Sequence, residues 1–509
     1  MKISIEQFNP KTSGFESNYN YIVERIKNSN SDVLNLFPEL SLSGMPLFEL
    51  ASRKETYQLA SKYSQEITES GKDLIFGTPV RIDKEYFNSL VFISQGELIG
   101  ISTKKNLGYF DKGFSSGDGF ETIKYNNKNI GYGFLEDLID FNTSGLDLLF
   151  VFSNNVFTAN SQKRLLENLI IKARKLSCPI IYINRVGAEG GYLFSGQSLI
   201  INQRGEVVDE LKIFENDSKL IETDNLKLKN NNPIDKNEAI FRAMVFALGD
   251  YFSKNGIKKA VMGLSGGIDS ALVAVIAAYS LGKDNLVGLI MPSEYSSDHS
   301  VEDAKQLAEN LGIEYHIVPI KDAYNQVSVE LNSHLESSFS VADENLQSRI
   351  RCLFLMWFAN KLNAGLLNTT NKSEAAVGYG TLYGDTSGAI SILGDLLKTQ
   401  VWEVSKWLNK DTEIIPWNTI TKPPSAELRP NQKDSDSLPE YDQLDRIIIE
   451  YIENKKSEEE IITELGFNNE LVSKSIRLIK INEWKRRQCP TPIRLSDSCF
   501  GLDIRFPIS

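Results

Sequence analysis

Two hydrophobic patterns alternate along the first part of the chain. Residues 18–29 and 161–176 place apolar side chains every three or four positions, which is typical of amphipathic helices. Short apolar runs, typical of strands, recur at 32–37, 73–80, 89–94, 146–153, 180–186 and 198–202. Strands that alternate with helices predict a layered α/β domain.

After residue 236 the alternation becomes more regular. A helix is predicted over about 236–254. It is followed by strands at 259–265, 286–292 and 315–320, with helices at 270–282 and 300–312 between them. Apolar strands joined by crossover helices predict a doubly wound parallel sheet that is buried on both faces. From about residue 410 onward the pattern predicts loops and short helices, among them 441–455 and 458–467.

A polar stretch at 222–239 separates the two patterns. It combines Asn, Asp and Lys with one proline, a composition that favours an exposed connector. We therefore predict an N-terminal domain over 1–225, a linker over 226–236 and a C-terminal domain over 237–509.

The composition is that of an ordinary globular protein, with 41% hydrophobic and 24% charged residues. A formal net charge of −12 argues against a protein that coats nucleic acid. Four cysteines form no Cys-x-x-Cys pair and three histidines lack zinc spacing, so a disulfide framework and a zinc site are not expected. Without a signal-peptide pattern or an apolar run of transmembrane length, we expect a cytoplasmic protein with no membrane partner.

The segment 261–280, VMGLSGGIDSALVAVIAAYS, joins a predicted strand to a predicted helix through two adjacent glycines. At such a strand end, glycines let backbone N–H groups converge on an anion, and the helix dipole adds to the attraction. Ser265 and Ser270 can donate to phosphate oxygens, and Asp269 beside a phosphate indicates a Mg²⁺ ligand. The competing interpretation is a plain Gly-Gly turn, which the serines and the aspartate disfavour.

This loop differs from a Walker A loop because no lysine follows its glycines. It resembles the Ser-Gly-Gly-x-Asp-Ser loop of the ATP-pyrophosphatase superfamily, whose members split ATP into AMP and pyrophosphate while they adenylate a substrate. The loop alone does not choose among GMP synthetase, asparagine synthetase, tRNA-modifying thiolases and NAD synthetase. The ATP-binding residues implied by the resemblance are Gly263, Leu264, Ser265, Gly266, Gly267, Ile268, Asp269 and Ser270.

Four further blocks favour NAD synthetase. They lie at 344–351, 369–404, 422–445 and 482–494, and they resemble that family in order through nearly the whole C-terminal half. The resemblance implies ATP-dependent amidation of deamido-NAD to NAD(+) through an acyl-adenylate, with release of AMP and pyrophosphate. The substrates it implies are therefore ATP, deamido-NAD and a source of ammonia.

The resemblance also implies roles for particular residues. Asp269 and Lys398 are the catalytic pair, and Asp269 and Glu374 hold Mg²⁺. Further ATP contacts are Thr369, Lys398, Thr399 and Ser425. The deamido-NAD contacts are Asn345, Arg349, Glu374, Tyr379, Tyr383 and Asp385. Taken singly, each could instead be a surface charge, a helix decoration or a core aromatic.

One departure from the family concerns the acceptor. Several members carry a basic residue that contacts the acceptor where this chain has Leu502, and Arg505 is the nearby substitute. Amidation of nicotinate mononucleotide therefore stays an alternative.

The N-terminal half resembles the nitrilase-like glutaminase domain of NAD synthetases that take nitrogen from glutamine, which implies an α-β-β-α layered fold. In that domain a Glu base, a Lys and a Cys nucleophile act together. The block FPELSLSGMP places Glu39 in the base position after a strand. The block KKNLGYF places Lys104 in the lysine position, with Lys105 as the alternative.

The cysteine block fails to match. The segment GYGFLEDLID has Leu135 in the nucleophile position, and no cysteine precedes Cys178, which reads as a core residue. Leucine has no lone pair and no ionisable proton, so it cannot form a thioester. We predict a domain that is inactive as a glutaminase and retained as a scaffold. The nitrogen then comes from free ammonia or from ammonia released by a separate glutaminase.

Two other classes of protein compete with this prediction. A tRNA-modifying enzyme would need basic surface and reactive cysteines, which the acidic total and the sparse cysteines disfavour. A non-catalytic assembly protein would not need intact blocks at 264–270, 371–374 and 398–401. The family architecture also implies a homo-oligomer, without a nucleic-acid partner.

Overall fold

The computed structural model describes residues 1–224, 226, 234–335 and 338–508. The chain divides into two compact units, Met1–Pro233 and Ile234–Ser509, each described here by itself. Most of the predicted linker, 226–236, lies outside the described residues. At its end, Asp235 accepts hydrogen bonds from the backbone N–H groups of Asn237 and Glu238, and so caps the first helix of the second unit.

The first unit consists of two mixed six-stranded sheets and the helices that cover them. The helices are α1 (Phe15–Lys27), α2 (Lys54–Thr68) and α3 (Ser161–Leu176). The first sheet has the order β14-β1-β2-β3-β4-β5, formed by β1 (Lys2–Gln7), β2 (Val33–Leu36), β3 (Leu74–Ile82), β4 (Glu85–Ser94), β5 (Glu97–Thr103) and β14 (Asp217–Glu222). The second has the order β13-β12-β9-β8-β7-β6, formed by β6 (Glu121–Tyr125), β7 (Lys128–Phe134), β8 (Leu148–Ser153), β9 (Ile180–Asn184), β12 (Leu199–Ile201) and β13 (Val207–Glu210). A separate hairpin pairs β10 (Val186–Glu189) with β11 (Tyr192–Ser195).

The alternation of side chains along β8 shows how these layers are held together. Phe150 and Phe152 belong to a core shared by the two sheets. Leu149 and Val151, which point to the other face, pack against α3 in a second core. A third core joins the outer face of the first sheet to α1 and α2. The order is therefore helices, sheet, sheet, helix, and the predicted α-β-β-α fold is confirmed.

The second unit contains the predicted parallel sheet. Its order is β17-β16-β15-β18-β19, formed by β15 (Lys259–Gly263), β16 (Leu286–Ile290), β17 (Glu314–Ile317), β18 (Ala364–Asn368) and β19 (Ile390–Ser391), with every pairing parallel. The main helices are α4 (Lys236–Lys254), α5 (Ile268–Leu281), α6 (Asp298–Leu311), α7 (Lys321–His334) and α8 (Val341–Leu362). Shorter helices follow: α9 (Lys372–Val377), α10 (Lys398–Leu408), α11 (Trp417–Thr421), α12 (Tyr441–Ile448), α13 (Glu458–Leu465), α14 (Asn469–Ile481) and α15 (Glu483–Arg486).

The central position of β15 and α5 fixes where the second unit can bind a ligand. β15 lies in the middle of the sheet, and α5 is apolar on all sides, with Ile268 and the run 270–277 buried. The turn between them therefore lies at the carboxyl edge of the sheet and is anchored by core packing on both sides. β17 differs from the prediction because it is an edge strand whose residues are largely exposed. Among the described residues, no helix has both the length and the apolarity needed to cross a membrane.

Candidate active site

The backbone geometry of the turn between β15 and α5 requires glycine at one of its two glycine positions. Gly266 has a φ of +76°, in the left-handed region that favours glycine, and a Cβ atom there would lie 2.2 Å from the backbone oxygen of Ser300. Gly267 has a φ of −84°, and a Cβ atom would meet nothing closer than Ser265 Oγ at 3.2 Å. Ser265 Oγ lies 3.0 Å from Ser270 Oγ, so the two hydroxyls bracket the turn.

A cavity of about 320 Å³ opens at this turn. The predicted residues that line it are Gly263, Leu264, Ser265, Gly267, Ile268, Asp269, Ser270, Thr369, Glu374, Tyr379, Asp385, Lys398 and Ser425. Those that are not among its lining residues are Gly266, Asn345, Arg349, Tyr383 and Thr399. The strand end, the turn and four separate later segments thus converge on one space, which has the size and the mixed polar lining of a ligand site.

Lys398 is the centre of charge in this cavity. Its Nζ donates to Asp269 Oδ2 at 2.5 Å and to Glu374 Oε1 at 3.4 Å, and its side chain is almost fully buried. Burial alone would lower the pKa of Lys398, but the two carboxylates more than offset this and raise it. Burial and the Asp269 charge raise the pKa of Glu374 to about 8.

Asn371 ties Asp269 to Glu374. Its Nδ2 donates to Asp269 Oδ1 at 2.9 Å, while its Oδ1 accepts from the backbone N–H of Glu374 at 2.9 Å, which caps α9. The two carboxylates and the ammonium are therefore held by a polar network rather than by solvent. Two carboxylates facing one cavity suit a hard divalent cation. Among the described residues, no group of three or more His, Cys, Asp or Glu side chains could hold a metal unaided.

Asp434 is a further carboxylate of this cavity, and it was not among the residues predicted from the sequence. It accepts hydrogen bonds from the hydroxyls of Tyr379 at 3.1 Å and Tyr441 at 3.0 Å. Burial raises the pKa of Asp434. The ring of Tyr441 lies 5.2 Å from Lys398 Nζ, so this tyrosine also packs against the ammonium. The run KDSDS contains two aspartates, Asp434 and Asp436, and nothing local distinguishes between them.

The two arginines of the block 344–351 lie in different places. Arg349 donates to the backbone oxygen of Leu382 and stays outside the cavity lining. Arg351 lines the cavity, donates to the backbone oxygen of Met291, and has a pKa lowered to about 10 by burial. Arg351 is thus the buried cation that a negatively charged ligand would meet. Arg351 was not among the residues predicted from the sequence.

The remaining predicted acceptor residues shape the cavity wall or lie behind it. Asp385 lines the cavity, and it accepts from the backbone N–H of Thr381 at 2.6 Å. Asn345 Oδ1 accepts from the hydroxyl of Thr381 at 2.7 Å, so it supports the same turn. Tyr383 is 68% exposed and donates to Gln488.

Three predicted positions act through the backbone or lie at the surface. Thr399 donates its backbone N–H to Asp445 Oδ2 at 2.8 Å. Ser425 Oγ donates to the backbone oxygen of Gln432 at 2.6 Å, which closes its loop. Near Leu502, Arg505 is exposed and donates to the backbone oxygen of Gly501, away from the cavity.

The first unit contains a separate cluster of charges. Lys104 Nζ lies 3.0 Å from Glu39 Oε1 and 3.1 Å from Asp111 Oδ2, and all three side chains are almost fully buried. It also lies 3.0 Å from Glu136 Oε1, the residue that follows Leu135. Lys104 therefore has three carboxylate partners. Asp111 and Glu136 were not among the predicted residues, because their approach to Lys104 arises only from the fold.

Glu39 is held in a dry environment. Burial, opposed by the charge of Lys104, raises the pKa of Glu39 to about 8. Its Oε1 accepts from Asn88 Nδ2 at 2.6 Å, while its Oε2 is buried and has no hydrogen-bond partner among the described residues. Lys105 is exposed, and its backbone N–H donates to Asp137. Of the two candidate lysines, the fold brings Lys104 to Glu39.

No thiol of the first unit can reach this cluster. Cys178 is the only cysteine before residue 233, and it is buried in the core beneath α3, where burial raises its pKa to about 12. β7, β8 and β9 are parallel, and Ile183 is level with Phe134, the residue before Leu135. Cys178 precedes Ile183 by five residues, which is roughly 16 Å along a strand. Leu135 itself packs against the same core.

Comparisons with known proteins agree with both units. A family model described as NAD synthase matches residues 240–489, and one described as carbon-nitrogen hydrolase matches residues 2–223. The glutamine-dependent NAD(+) synthetases of Synechocystis sp. and Thermotoga maritima are 37% and 34% identical to this chain. Both alignments cover 100% of this chain and 98% of the relative.

Solved structures agree as well. A glutamine-dependent NAD+ synthetase from Acinetobacter baumannii, in complex with ADP, is 31% identical with a TM-score of 0.78, and the match covers 100% of this chain and 98% of that one. The corresponding protein of Cytophaga hutchinsonii is similar in fold, with a TM-score of 0.85 at 23% identity over 100% and 97% of the two chains.

The fold and its sites define an ATP-dependent carbon–nitrogen ligase joined to a nitrilase-like unit. The chain belongs to the two-domain NAD(+) synthetase family. Its substrates include ATP and deamido-NAD. The relatives are named for glutamine, and this name leaves the nitrogen source of the present chain open.

Exchanging the two glycines for alanine should have unequal effects. Gly266→Ala places a Cβ against the Ser300 backbone in a left-handed conformation, so we expect the turn to shift and NAD(+) formation to fall about 100-fold. Gly267→Ala is the matched control, because its φ is negative and its nearest neighbour is a hydroxyl. Initial rates with ATP, deamido-NAD and ammonium measure both. Equal rates for the two variants would contradict the assignment of Gly266.

Proposed function

We propose that this NAD(+) synthetase takes its nitrogen from ammonia and not from glutamine. The observation that carries the proposal is Leu135 in the position where the glutaminase resemblance requires a cysteine. Glu39 and Lys104 remain together, but a base and an ammonium cannot replace the nucleophile that forms the acyl-enzyme. The ammonia is free, or it is released by a separate glutaminase.

We assign the synthetase reaction to the cavity of the second unit. The nicotinate carboxylate of deamido-NAD attacks the α-phosphorus of ATP, and the bond to the leaving pyrophosphate breaks. Neutral ammonia then attacks the acyl carbon of the adenylate, AMP leaves, and the surplus proton of the new amide is lost to a base. The turn at 263–270 suits the pyrophosphate, since its residues, two of them serines, line the cavity at a helix N-terminus.

Some of the lining residues would bind ATP, and others would bind the acceptor, deamido-NAD. Lys398 would neutralise phosphate charge as the α-phosphorus is attacked, and Thr369 and Ser425 would contact the nucleotide. Asp385 and Tyr379 line the cavity and would form the acceptor wall, and we add Arg351 as a buried cation for the dinucleotide. Asn345, Arg349, Tyr383 and Thr399 would act through the residues that they support.

Asp269 and Glu374 would hold Mg²⁺ at the phosphates. Both carboxylates lie within hydrogen-bonding reach of one ammonium, so they are close enough to share a cation. When bound, the cation supplies charge neutralisation at the leaving pyrophosphate. Since a magnesium ion needs only one or two carboxylates beside phosphates and water, this pair fits it.

The nitrogen source can be tested with purified full-length protein. With ATP, Mg²⁺ and deamido-NAD, we expect NAD(+) formation with ammonium. With ammonia-free glutamine we expect none above the rate without a nitrogen donor, because Leu135 cannot open the amide. Heavy-isotope labelling of the amide nitrogen in each donor identifies the atom that enters NAD(+). Turnover with glutamine comparable to that with ammonium would refute the proposal.

The roles of the charged pair can be tested separately. Asp269→Asn and Lys398→Met should each lower pyrophosphate release in the presence of deamido-NAD about 100-fold or more, because each removes a charge placed at the phosphates. Lys410→Met, at an exposed lysine just beyond the same helix, is the matched control and should keep the wild-type rate. An undiminished rate for Asp269→Asn would remove the assignment of this cavity.

We also propose that the protein is a homo-oligomer. The helices α7 and α8 expose large apolar side chains, among them Val329 at 73%, Leu353 at 65% and Trp357 at 57%. In α7, no residue is fully buried. An exposed apolar surface of this kind on a globular unit marks a contact site, and a second copy of the same unit is the partner that is always present.

Charges on this surface should separate the copies. We expect the double variant Leu353→Glu/Trp357→Glu to sediment with a lower mass than the wild type, since two carboxylates cannot be buried against an apolar partner. Trp484→Glu, at a tryptophan that is 45% exposed on α15, is the control and should leave the mass unchanged. The homo-oligomer proposal is refuted if the double variant sediments with the wild-type mass, or if the wild type already sediments as a monomer.

A further inference from the structure

A second lysine of the synthetase unit is buried, and the proposed reaction does not use it. The side chain of Lys372 is 0% exposed, and its Nζ lies 2.9 Å from Asp395 Oδ1 and 3.0 Å from Glu453 Oε1. It also donates to Ser496 Oγ at 2.8 Å and to the backbone oxygen of Ser498 at 3.0 Å. A single ammonium thus joins four segments that are distant in the chain.

Asp395 is equally buried and equally engaged. Its Oδ2 accepts from the backbone N–H groups of Leu495 at 2.8 Å and Ser496 at 2.7 Å, and its Oδ1 accepts from the hydroxyl of Ser496 at 2.9 Å. Neither Lys372 nor Asp395 is among the residues that line the cavity. The pair therefore does not contact a substrate in the cavity, and any role in the reaction must come from the segments that it connects.

The pair fastens together the two segments that carry the charged residues of the cavity. Lys372 is the first residue of α9, two positions before Glu374, and Asp395 lies three positions before Lys398. Next to the ion pair, the backbone N–H of Lys372 donates to the backbone oxygen of Leu396 at 3.0 Å. Because both segments are short, a shift at the ion pair would be transmitted to the contact between Lys398 and Glu374.

The residues on either side of Lys372 make matching connections. Asn371 bonds to Asp269, and Ser373 Oγ accepts from the backbone N–H of Lys398 at 2.9 Å while it donates to Asp445. Each residue of the segment 371–374 therefore makes at least one connection to another part of the unit. The side-chain partners of Lys372 and the carboxylate partner of Ser373 are not among the residues that line the cavity.

We infer that Lys372 and Asp395 are positioning residues for the synthetase reaction, which set the distance between Glu374 and Lys398 and bring residues 495–498 into the scaffold of the site. The inference rests on the proposed roles of Glu374 and Lys398. A buried ion pair is weak as a source of net stability, but it admits few alternative arrangements, because each misplaced partner leaves a charge unpaired. A reaction that needs a cation and two carboxylates aligned on a triphosphate is sensitive to such misplacement.

Asp395→Asn tests the inference with little change in volume. It removes the charge opposite Lys372, so we expect kcat for NAD(+) formation from ammonium to fall about 100-fold. KM for ATP should stay within about threefold of the wild type, since the glycine turn at 263–270 and Ser425 lie on other segments and keep their place at the nucleotide. A residue with a merely structural role would lower the melting temperature without this split between kcat and KM.

Glu6→Gln is the matched control. Glu6 is a buried carboxylate of the first unit, 3% exposed at its side chain, and its Oε2 pairs with Arg25 at 2.7 Å. We expect Glu6→Gln to lower the melting temperature and to leave kcat unchanged. Both variants are assayed well below their melting temperatures. A wild-type kcat for Asp395→Asn, or an equal loss in both variants, would overturn the inference.

Ser496→Ala tests the same positioning role if Asp395→Asn does not fold. This variant keeps every charge paired but removes the Ser496 hydroxyl, which bonds to both Lys372 and Asp395. We therefore expect kcat to fall, by a smaller factor than in Asp395→Asn. A wild-type kcat for Ser496→Ala would then overturn the inference. Failure of the proposed function is distinguishable, because in that case Lys398→Met itself would retain its activity.

Discussion

The ammonium of Lys398, placed between Asp269 and Glu374, is the interaction on which the synthetase unit depends. Without a cation, these two partly buried carboxylates would repel each other, and the single ammonium between them makes the arrangement stable. The glycine turn, the cap provided by Asn371 and the beginning of α10 all converge on this contact. The site is therefore organised before a nucleotide arrives, and a triphosphate with its cation enters an electrostatic field that is already aligned.

On the proposed function, the first unit is an active site that lacks one chemical group. The core between its two sheets and the Glu39–Lys104 contact do not involve position 135, and Leu135 itself packs into the core beneath α3. Catalysis at such a site depends on one nucleophile, whereas its architecture depends on many residues. On this proposal, the unit keeps the fold of a hydrolase without its chemistry, because a fold does not by itself imply a reaction.

Structure that depends on residues close together in the chain was predicted well from the sequence. The strand, glycine turn and helix at 259–282 follow from adjacent apolar runs, and the two-sheet arrangement follows the family resemblance. Contacts between distant residues were not predictable in this way. Arg349 and Arg351 lie two positions apart on α8, hence on different faces, and the apolar residues of α8 are spread too evenly to show which face is buried. Asp434 reaches the cavity, and Asp111 and Glu136 reach Lys104, only through the tertiary fold.

The tie between Lys372 and residues 495–498 has a consequence for biosynthesis. Chains fold from the N-terminus as they leave the ribosome, so the first unit can complete its core early. In the second unit, Lys372 and Asp395 emerge a hundred or more residues before Leu495 and Ser496 can reach them. Until that stretch is translated, both charges lack the partners that it supplies, so the scaffold around them is completed only near the end of synthesis.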